Sequence, residues 1–426
     1  MSNPLASGYI PRRAADLVRE ALADTRVVLV NGARQSGKST VVRRVGQRIA
    51  AEWFTLDDPI TREAAANDPV SFVRLAPRMI VDEVQRDPRL LLAMKALVDE
   101  TPTPGRFLLT GSARVLGLRG LPDTLVGRME TIELWPLSQG EIDGSPDGFV
   151  DAAFSLGPDL RHEAALTRDD YLERLSRGGF PDAFARPERR RGAYLRNYVA
   201  DMVNRDVTQL SEIERGPQMR ALVDGLAARA GSPIAVAPLG ASVGLNAETT
   251  GRYLQLLQEV YLVKRIPAWT RRISQRMVGQ SKYAFVDSGV AAAIIGQNPA
   301  RLRQPGTAVG GLLEGFVAME IARQLSWSRE NARLSHYRTK DNVEVDLVLE
   351  NDRGAVVGIE VKASATVRGE DFTGLRHLAE RVGEDFVAGY VLYAGTKTHS
   401  FGPRLRALPI ATLWESGARG TQGVAD

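Results

Sequence analysis

The chain has 426 residues, 44% of them hydrophobic and 25% charged, and a formal net charge of +4. That is more than one core supports and has the balance of two or three soluble globular domains. The absence of cysteine excludes disulfides and thiolate-held zinc, and the four histidines are scattered; any metal is therefore expected to be a hard ion held by oxygens. No run of eighteen apolar residues occurs and the opening MSNPLASGYIPRR has no apolar core, so a cytoplasmic location and no membrane partner are expected.

The near-neutral charge permits nucleic acid without requiring it. Lysine is rare, occurring only at positions 38, 95, 264, 282, 340, 362 and 397 among 55 basic residues. Arginine is the default cation, so a lysine marks a place where a compact ammonium serves better than a planar guanidinium.

Ala14 to Ala23 has one apolar face and reads as a leading helix. The run Val27-Val28-Leu29-Val30 reads as a buried parallel strand that stops at Gly32. Between it and the helix continuing through Ile49 lies Gly32, four residues, Gly37, Lys38 and Ser39, the phosphate-loop spacing. Glycines let successive N–H groups of Gly32, Gln35, Ser36, Gly37 and Thr40 point at phosphate oxygens; Lys38 reaches the β- and γ-phosphates, and Ser39 ligates Mg2+. Trp53 to Asp58 reads as a second strand, and Arg78 to Val81 as a third that delivers Asp82 and Glu83 at its C-terminal end. Ligands bind at that end of an open α/β sheet. Asp82 is expected to hold the Mg2+ and Glu83 to polarise the attacking water. Phe107 to Ser112 reads as a further strand, whose Thr110 or Ser112 can orient that water. Arg128, before the strand Thr131 to Leu134, is either a finger for transition-state charge or a surface arginine.

GARQSGKST, IVDEVQ, LLTGS and LVGRME, in this order, resemble the AAA-type ATPase superfamily. More narrowly they are similar to bacterial and archaeal ATPases with an AAA domain followed by a C-terminal domain of unknown function. GGFPD at 178–182, Arg205-Asp206, EVD and EVK extend the likeness. The resemblance implies a P-loop NTPase parallel sheet in residues 1–150 that uses ATP and Mg2+. Residues 137–160, rich in Gly, Pro, Ser and Asp, read as a loop or boundary. Helical periodicity at Tyr171 to Ser176 and Tyr194 to Leu210 resembles the lid of AAA-type proteins, assigned to 151–215; Arg205 would reach nucleotide from it or pair with Asp201 or Asp206. Arg189-Arg190-Arg191 reads as a solvated face or a phosphate contact.

Residues 216–295 give helix, short helix, turn, longer helix and strand, an order that fits a winged helix-turn-helix. Either Thr249, Thr250, Arg252, Arg271, Arg272 and Arg276 face a DNA groove, or the segment is a packing module. In 296–426, Leu312 to Leu325 reads as an amphipathic helix carrying Glu314, followed by strands Val343 to Glu350 and Val356 to Ala363. Alternation puts Glu344 and Asp346 on one face and Glu360 and Lys362 on one face. If these faces meet, Asp346 and Glu360 chelate a divalent cation beside Lys362, the parts for metal-assisted phosphodiester cleavage. Glu314, Asp346 and Glu360-Val361-Lys362 in this order resemble the PD-(D/E)xK nuclease superfamily, which implies a C-terminal α/β nuclease-like domain. The domain then cleaves nucleic acid, or keeps the fold for protein docking or homo-oligomer formation, or is a sheet with solvated ion pairs.

Overall fold

In a computed structural model of the chain, residues 9–112, 125–207, 216–271 and 279–417 are described. They divide into two compact units: Met1–Leu137 with the short segments Phe180–Asp182 and Glu259–Tyr261, and the remainder from Ser138 onward.

The first unit is built on five parallel strands, β1 (Val27–Asn31), β2 (Glu52–Thr55), β3 (Met79–Asp82), β4 (Phe107–Gly111) and β5 (Met129–Glu133), in the order β2-β3-β4-β1-β5. β1 is buried along its whole length because both faces are covered. Val28 and Val30 pack with Val18, Val41 and Val45 from helices Ala14–Asp24 and Lys38–Arg48. Val27 and Leu29 pack with Met94 and Val98 of helix Leu90–Glu100 on the other side. Two covered faces explain why β1 reads as a continuous apolar run rather than an alternation. Helix Lys38–Arg48 lies so close to the sheet that a Cβ at Gly46 would sit 2.1 Å from Ile80 Cδ1.

The second unit opens where the sequence reads as a loop. Residues 137–160 contain two short helices, Gln139–Asp143 and Phe149–Leu156, with Ile142, Phe149, Val150, Ala152 and Ala153 buried. The residues that suggested a loop are their caps: Ser138 forms a capping box with Glu141, Gly144 (φ 69°) ends the first helix, and Gly148 and Gly157 bound the second. Helices Arg168–Arg177 and Glu188–Asp201 follow, and the latter runs into a π-helical segment, Met202–Val207. The Arg205 side chain lies outside what the structure describes.

Helices Gly216–Ala228, Val236–Ala241 and Ala247–Glu259 precede an antiparallel hairpin, β6 (Val263–Ile266) and β7 (Lys282–Phe285). An Ile234–Ser281 bridge adds a third short strand contact. Helix Ser288–Ile294 leads toward helix Val309–Gln324 and a six-stranded sheet. That sheet comprises β8 (Ala332–Arg338), β9 (Glu344–Asn351), β10 (Val356–Lys362), β11 (Phe386–Tyr393), β12 (His399–Gly402) and β13 (Leu405–Pro409). Its order is β12-β13-β11-β10-β9-β8. β8, β9 and β10 form an antiparallel meander; helix Thr373–Val382 then carries the chain across to β11, which pairs parallel to β10.

Helix Val309–Gln324 differs from its reading as amphipathic. Twelve of its residues are buried, among them Glu320, Arg323 and Gln324. Polar groups occupy core positions here because each finds a buried partner: Glu320 Oε1 binds Arg323 at 2.6 Å, Glu320 Oε2 accepts from Gln139 N at 2.9 Å, and Gln324 donates to Leu413 O at 2.6 Å. No helix among the described residues is long and apolar enough to cross a membrane.

Candidate functional site

At the C-terminal end of β1, the Asn31 side chain accepts a hydrogen bond from Gly32 N at 3.0 Å and starts the turn. A Cβ at Gly32 (φ 155°) would lie 2.2 Å from Leu134 O, so only glycine fits. Gln35 (φ 61°) and Gly37 (φ 96°) hold left-handed backbone, which curls the loop. Lys38, 5% exposed, donates from Nζ to Gly32 O (3.0 Å) and Ala33 O (2.8 Å), which holds the ammonium over the loop. Ser36 is buried within the turn, whereas Gln35 and Thr40 are exposed. Arg12 ties the loop from outside: its guanidinium donates to Ser36 O at 2.7 Å and to Trp135 O at 2.6 Å. No motif spacing points to this role, because Arg12 lies well before the loop.

Asp82 ends β3 beside the loop. Its Oδ1 accepts from Ser39 Oγ at 2.9 Å and from Thr110 Oγ1 at 2.6 Å, and its Oδ2 lies 3.5 Å from Thr55 Oγ1. Strands β2 and β4 and helix Lys38–Arg48 thus bring hydroxyls to one carboxylate. Ser39 Oγ and Asp82 are adjacent hard oxygens, the donor type that Mg2+ takes, so these residues fit the ion. Glu83 leaves the strand in left-handed conformation (φ 59°, ψ 46°), and its N–H donates to Thr110 Oγ1 at 2.9 Å. Its carboxylate is held by Gln85, which also donates to Ser112 Oγ at 2.9 Å, and by Ser112 at 3.3 Å. Thr110 therefore serves the Asp82 carboxylate and the Glu83 backbone while Ser112 serves the Glu83 carboxylate, and Gln85 is a further member that the sequence reading passed over.

Arg128 is placed elsewhere. Met129 pairs with Val27, the first residue of β1, so Arg128 lies at the opposite end of the sheet, about 16 Å along the strand from the loop. There its guanidinium chelates Asp99, with Nη2 at 3.1 Å from Oδ2, and Nη1 donates to Val126 O at 3.0 Å. That ion pair holds the Asp99 carboxyl below its ordinary range. Within one chain Arg128 does not reach the phosphate loop.

The second unit gathers the other predicted residues. The β9–β10 ladder ends at Leu347–Ile359; one step on, Asp346 Oδ2 accepts from Val361 N at 2.9 Å in place of a ladder bond. Asp346 and Glu360 thus meet at the end of the strand pair, and Lys362 Nζ lies 3.1 Å from Glu360 Oε1 and 3.7 Å from Asp371 Oδ1. Glu360 Oε2 is buried with no hydrogen-bond partner among the described residues. Burial, then the nearby Asp346 charge, pushes the Glu360 carboxyl up to about 7, and burial raises Asp346. Glu314 comes to the same region from helix Val309–Gln324, but its partner is Lys282, on β7, at 2.7 Å. Lys282 also lies 2.7 Å from Glu344 Oε1 and 3.7 Å from Asp346 Oδ1. Among the described residues no set of three or more His, Cys, Asp or Glu is disposed to hold a metal ion. With an ammonium among their oxygens, Glu314, Glu344 and Asp346 do not fit a divalent cation.

His336, in β8, is 1% exposed; its Nε2 lies 2.9 Å from Gln280 O, and its Nδ1 has no partner among the described residues. Burial pushes the imidazole from 6.5 down to about 4. The ring is neutral when folded and titrates near its ordinary value when unfolded, so between these values the unfolded chain holds more protons and stability falls as the pH falls. From pH 6.5 to 5 this amounts to roughly 2 kcal/mol. Urea unfolding of wild type and His336→Gln at pH 7.5 and 5 checks it: the wild type should lose that much more than the variant. Equal losses would assign the acid sensitivity to other groups. The raised carboxylates act in the opposite sense, and the difference between the two chains removes them.

The residues expected to face a groove occupy buried, exposed and sheet-bound positions. Thr250 is fully buried and donates to Asn246 O at 2.7 Å, while Arg252 is exposed. After β6 the chain is stitched to the six-stranded sheet. Trp269 N donates to His336 O at 2.6 Å, Trp269 Nε1 to Glu350 at 3.0 Å, and Arg271 binds Val382 O and, at 3.4 Å, Asp385. Arg272 and Arg276 lie outside the described residues.

Residues 24–143 match the family model described as an AAA domain. Residues 168–301 and 309–413 match two models described as domains of unknown function, DUF8612 and DUF4143. The segment holding the loop, Asp82 and Glu83 thus falls within the AAA-domain match, which supports nucleotide binding there. The chain is 29% identical over 359 residues to an uncharacterized protein of Mycobacterium tuberculosis, covering 83% of this chain and 74% of that one, and to one of Mycobacterium bovis with the same figures. Among solved structures it is similar to the Walker-type ATPase PABY2304 of Pyrococcus abyssi (TM-score 0.42, 12% identity, 68% of this chain and 97% of that one). It is also similar to the RuvB Holliday junction branch migration motor of Thermotoga maritima (TM-score 0.30, 20% identity, 61% and 90%).

Proposed function

We propose that the chain hydrolyses ATP with Mg2+ at the phosphate loop and that its nucleotide state governs a nuclease-like C-terminal domain that docks a macromolecular partner. The observation that carries the hydrolytic reading is the convergence of Ser39, Thr110 and Thr55 on Asp82 with Glu83 and Gln85 alongside. The loop N–H groups and Lys38 bind and orient the β- and γ-phosphates; Ser39 and Asp82 would hold Mg2+, which when bound screens the phosphate charge. Glu83 is the base: Gln85 and Ser112 fix its carboxylate, and it takes the proton of the attacking water as the γ-phosphorus–oxygen bond breaks.

For the second unit, docking is favoured over groove reading. Arg271 and Trp269, which a free wing would offer to DNA, are bonded to the sheet, and Thr250 is buried. Action on nucleic acid through Asp346, Glu360 and Lys362 is the second reading, supported by the unpartnered Glu360 Oε2 beside Lys362. Phosphate release from ATP by the purified chain, with and without Mg2+ and with duplex DNA, tests both. Turnover that needs Mg2+ and ignores DNA is expected. No turnover removes the hydrolytic reading, and salt-sensitive stimulation by DNA would favour the second.

A further inference from the structure

Three carboxylates from two elements of the second unit converge on one buried ammonium: Glu314 from helix Val309–Gln324, and Glu344 and Asp346 from the start of β9. The Lys282 ammonium stands at that point, 2% exposed, 2.7 Å from Glu314 Oε1, 2.7 Å from Glu344 Oε1 and 3.7 Å from Asp346 Oδ1. An oxygen-held divalent ion needs six or more oxygens within about 2.0–2.6 Å, and it must exclude other cations. A nitrogen hydrogen-bonded to two of these oxygens already fills their common space, and its charge repels a second cation. The chain makes nearly all its other cations arginine, yet here it uses the compact side chain whose tetrahedral N–H groups can meet several carboxylates at once.

We infer that Lys282 is the resident cation of this centre: it closes Glu314, Glu344 and Asp346 to Mg2+ and Mn2+, and it locks the β6–β7 hairpin to the helix and sheet that carry the nuclease-like residues. This rests on the nuclease-like reading of that sheet and is independent of the phosphate loop. The lysine arrives on a strand of one module and its acids lie on another, so the ion cluster is the joint between them. Without the ammonium, the three acids become a site that a divalent ion can enter.

Mn2+ retention measured by electron paramagnetic resonance on the full chain, without nucleotide, tests the inference. Wild type and Asp346→Asn should retain the same Mn2+, whereas Lys282→Met should retain one more per chain. Adding Mn2+ should raise the melting temperature of Lys282→Met by about 5 °C or more and leave that of wild type unchanged. A Lys282→Met chain that folds only with Mn2+ is the same result in stronger form. Mn2+ held by wild type and lost in Asp346→Asn would overturn the inference, and that comparison does not need the lysine variant to fold. So would a folded Lys282→Met chain indifferent to Mn2+. Absence of ATP turnover in wild type bears on the phosphate loop alone; metal-dependent nicking of DNA by wild type, lost in Asp346→Asn, overturns the closed centre.

Discussion

Replacing Lys38 by alanine should lower ATP turnover by about 10²–10³-fold, the usual cost of removing one preorganised charge from a transferring phosphoryl group. Its ammonium is 5% exposed and anchored by Gly32 O and Ala33 O, so the protein has already fixed its position and no other lysine lies within the loop. Glu83→Gln should separate binding from chemistry. The amide keeps the shape held by Gln85 and Ser112 but cannot accept the proton, so Mg·ATP affinity should persist while turnover drops by about 10²–10⁴-fold. Fluorescent-nucleotide titration alongside phosphate release measures both. Wild-type turnover in Lys38→Ala would remove the phosphate loop from the mechanism, and lost affinity in Glu83→Gln would make that residue a binding group.

Arg323→Leu should destabilise the second unit by about 3–5 kcal/mol, because it strands a carboxylate in the core. Glu320 is 1% exposed and bound to Arg323 at 2.6 Å, and the same guanidinium donates to Val286 O at 2.9 Å. Glu320→Gln should cost less, since Gln139 N can still donate to the amide oxygen and the Arg323 guanidinium, though it loses its counter-ion, keeps Val286 O as an acceptor. Denaturant unfolding of the two single variants and the double variant measures the coupling. A loss below about 1 kcal/mol in Arg323→Leu would mean that water reaches this pair.

Local features were the legible ones. β1, the loop and helix Lys38–Arg48 follow one another in the chain, so spacing alone displayed them. The alternation of β9 and β10 likewise put Asp346 and Glu360 on meeting faces. What escaped depends on distant partners. Arg12 and Trp135 are joined through a guanidinium across 123 positions, and Lys282 reaches Glu314 across 32; neither separation leaves a periodic trace. The 137–160 stretch does begin at the boundary between the two units, but it holds helices rather than a loop: Ser, Gly and Asp mark helix ends as well as loops, and two helices this short are mostly ends. Helix Val309–Gln324 hid its nature because its buried polar residues are paired, and pairing is invisible to a hydrophobic count.

Arg12 has a mechanical consequence. One guanidinium grips the Ser36 carbonyl and the Trp135 carbonyl, and Trp135 precedes by three positions the residue at which the chain enters the second unit. Hydrogen bonds of 2.7 and 2.6 Å tolerate only small stretching. The turn and the backbone that follows β5 are therefore clamped by the same few atoms, and Arg12→Ala should loosen both together.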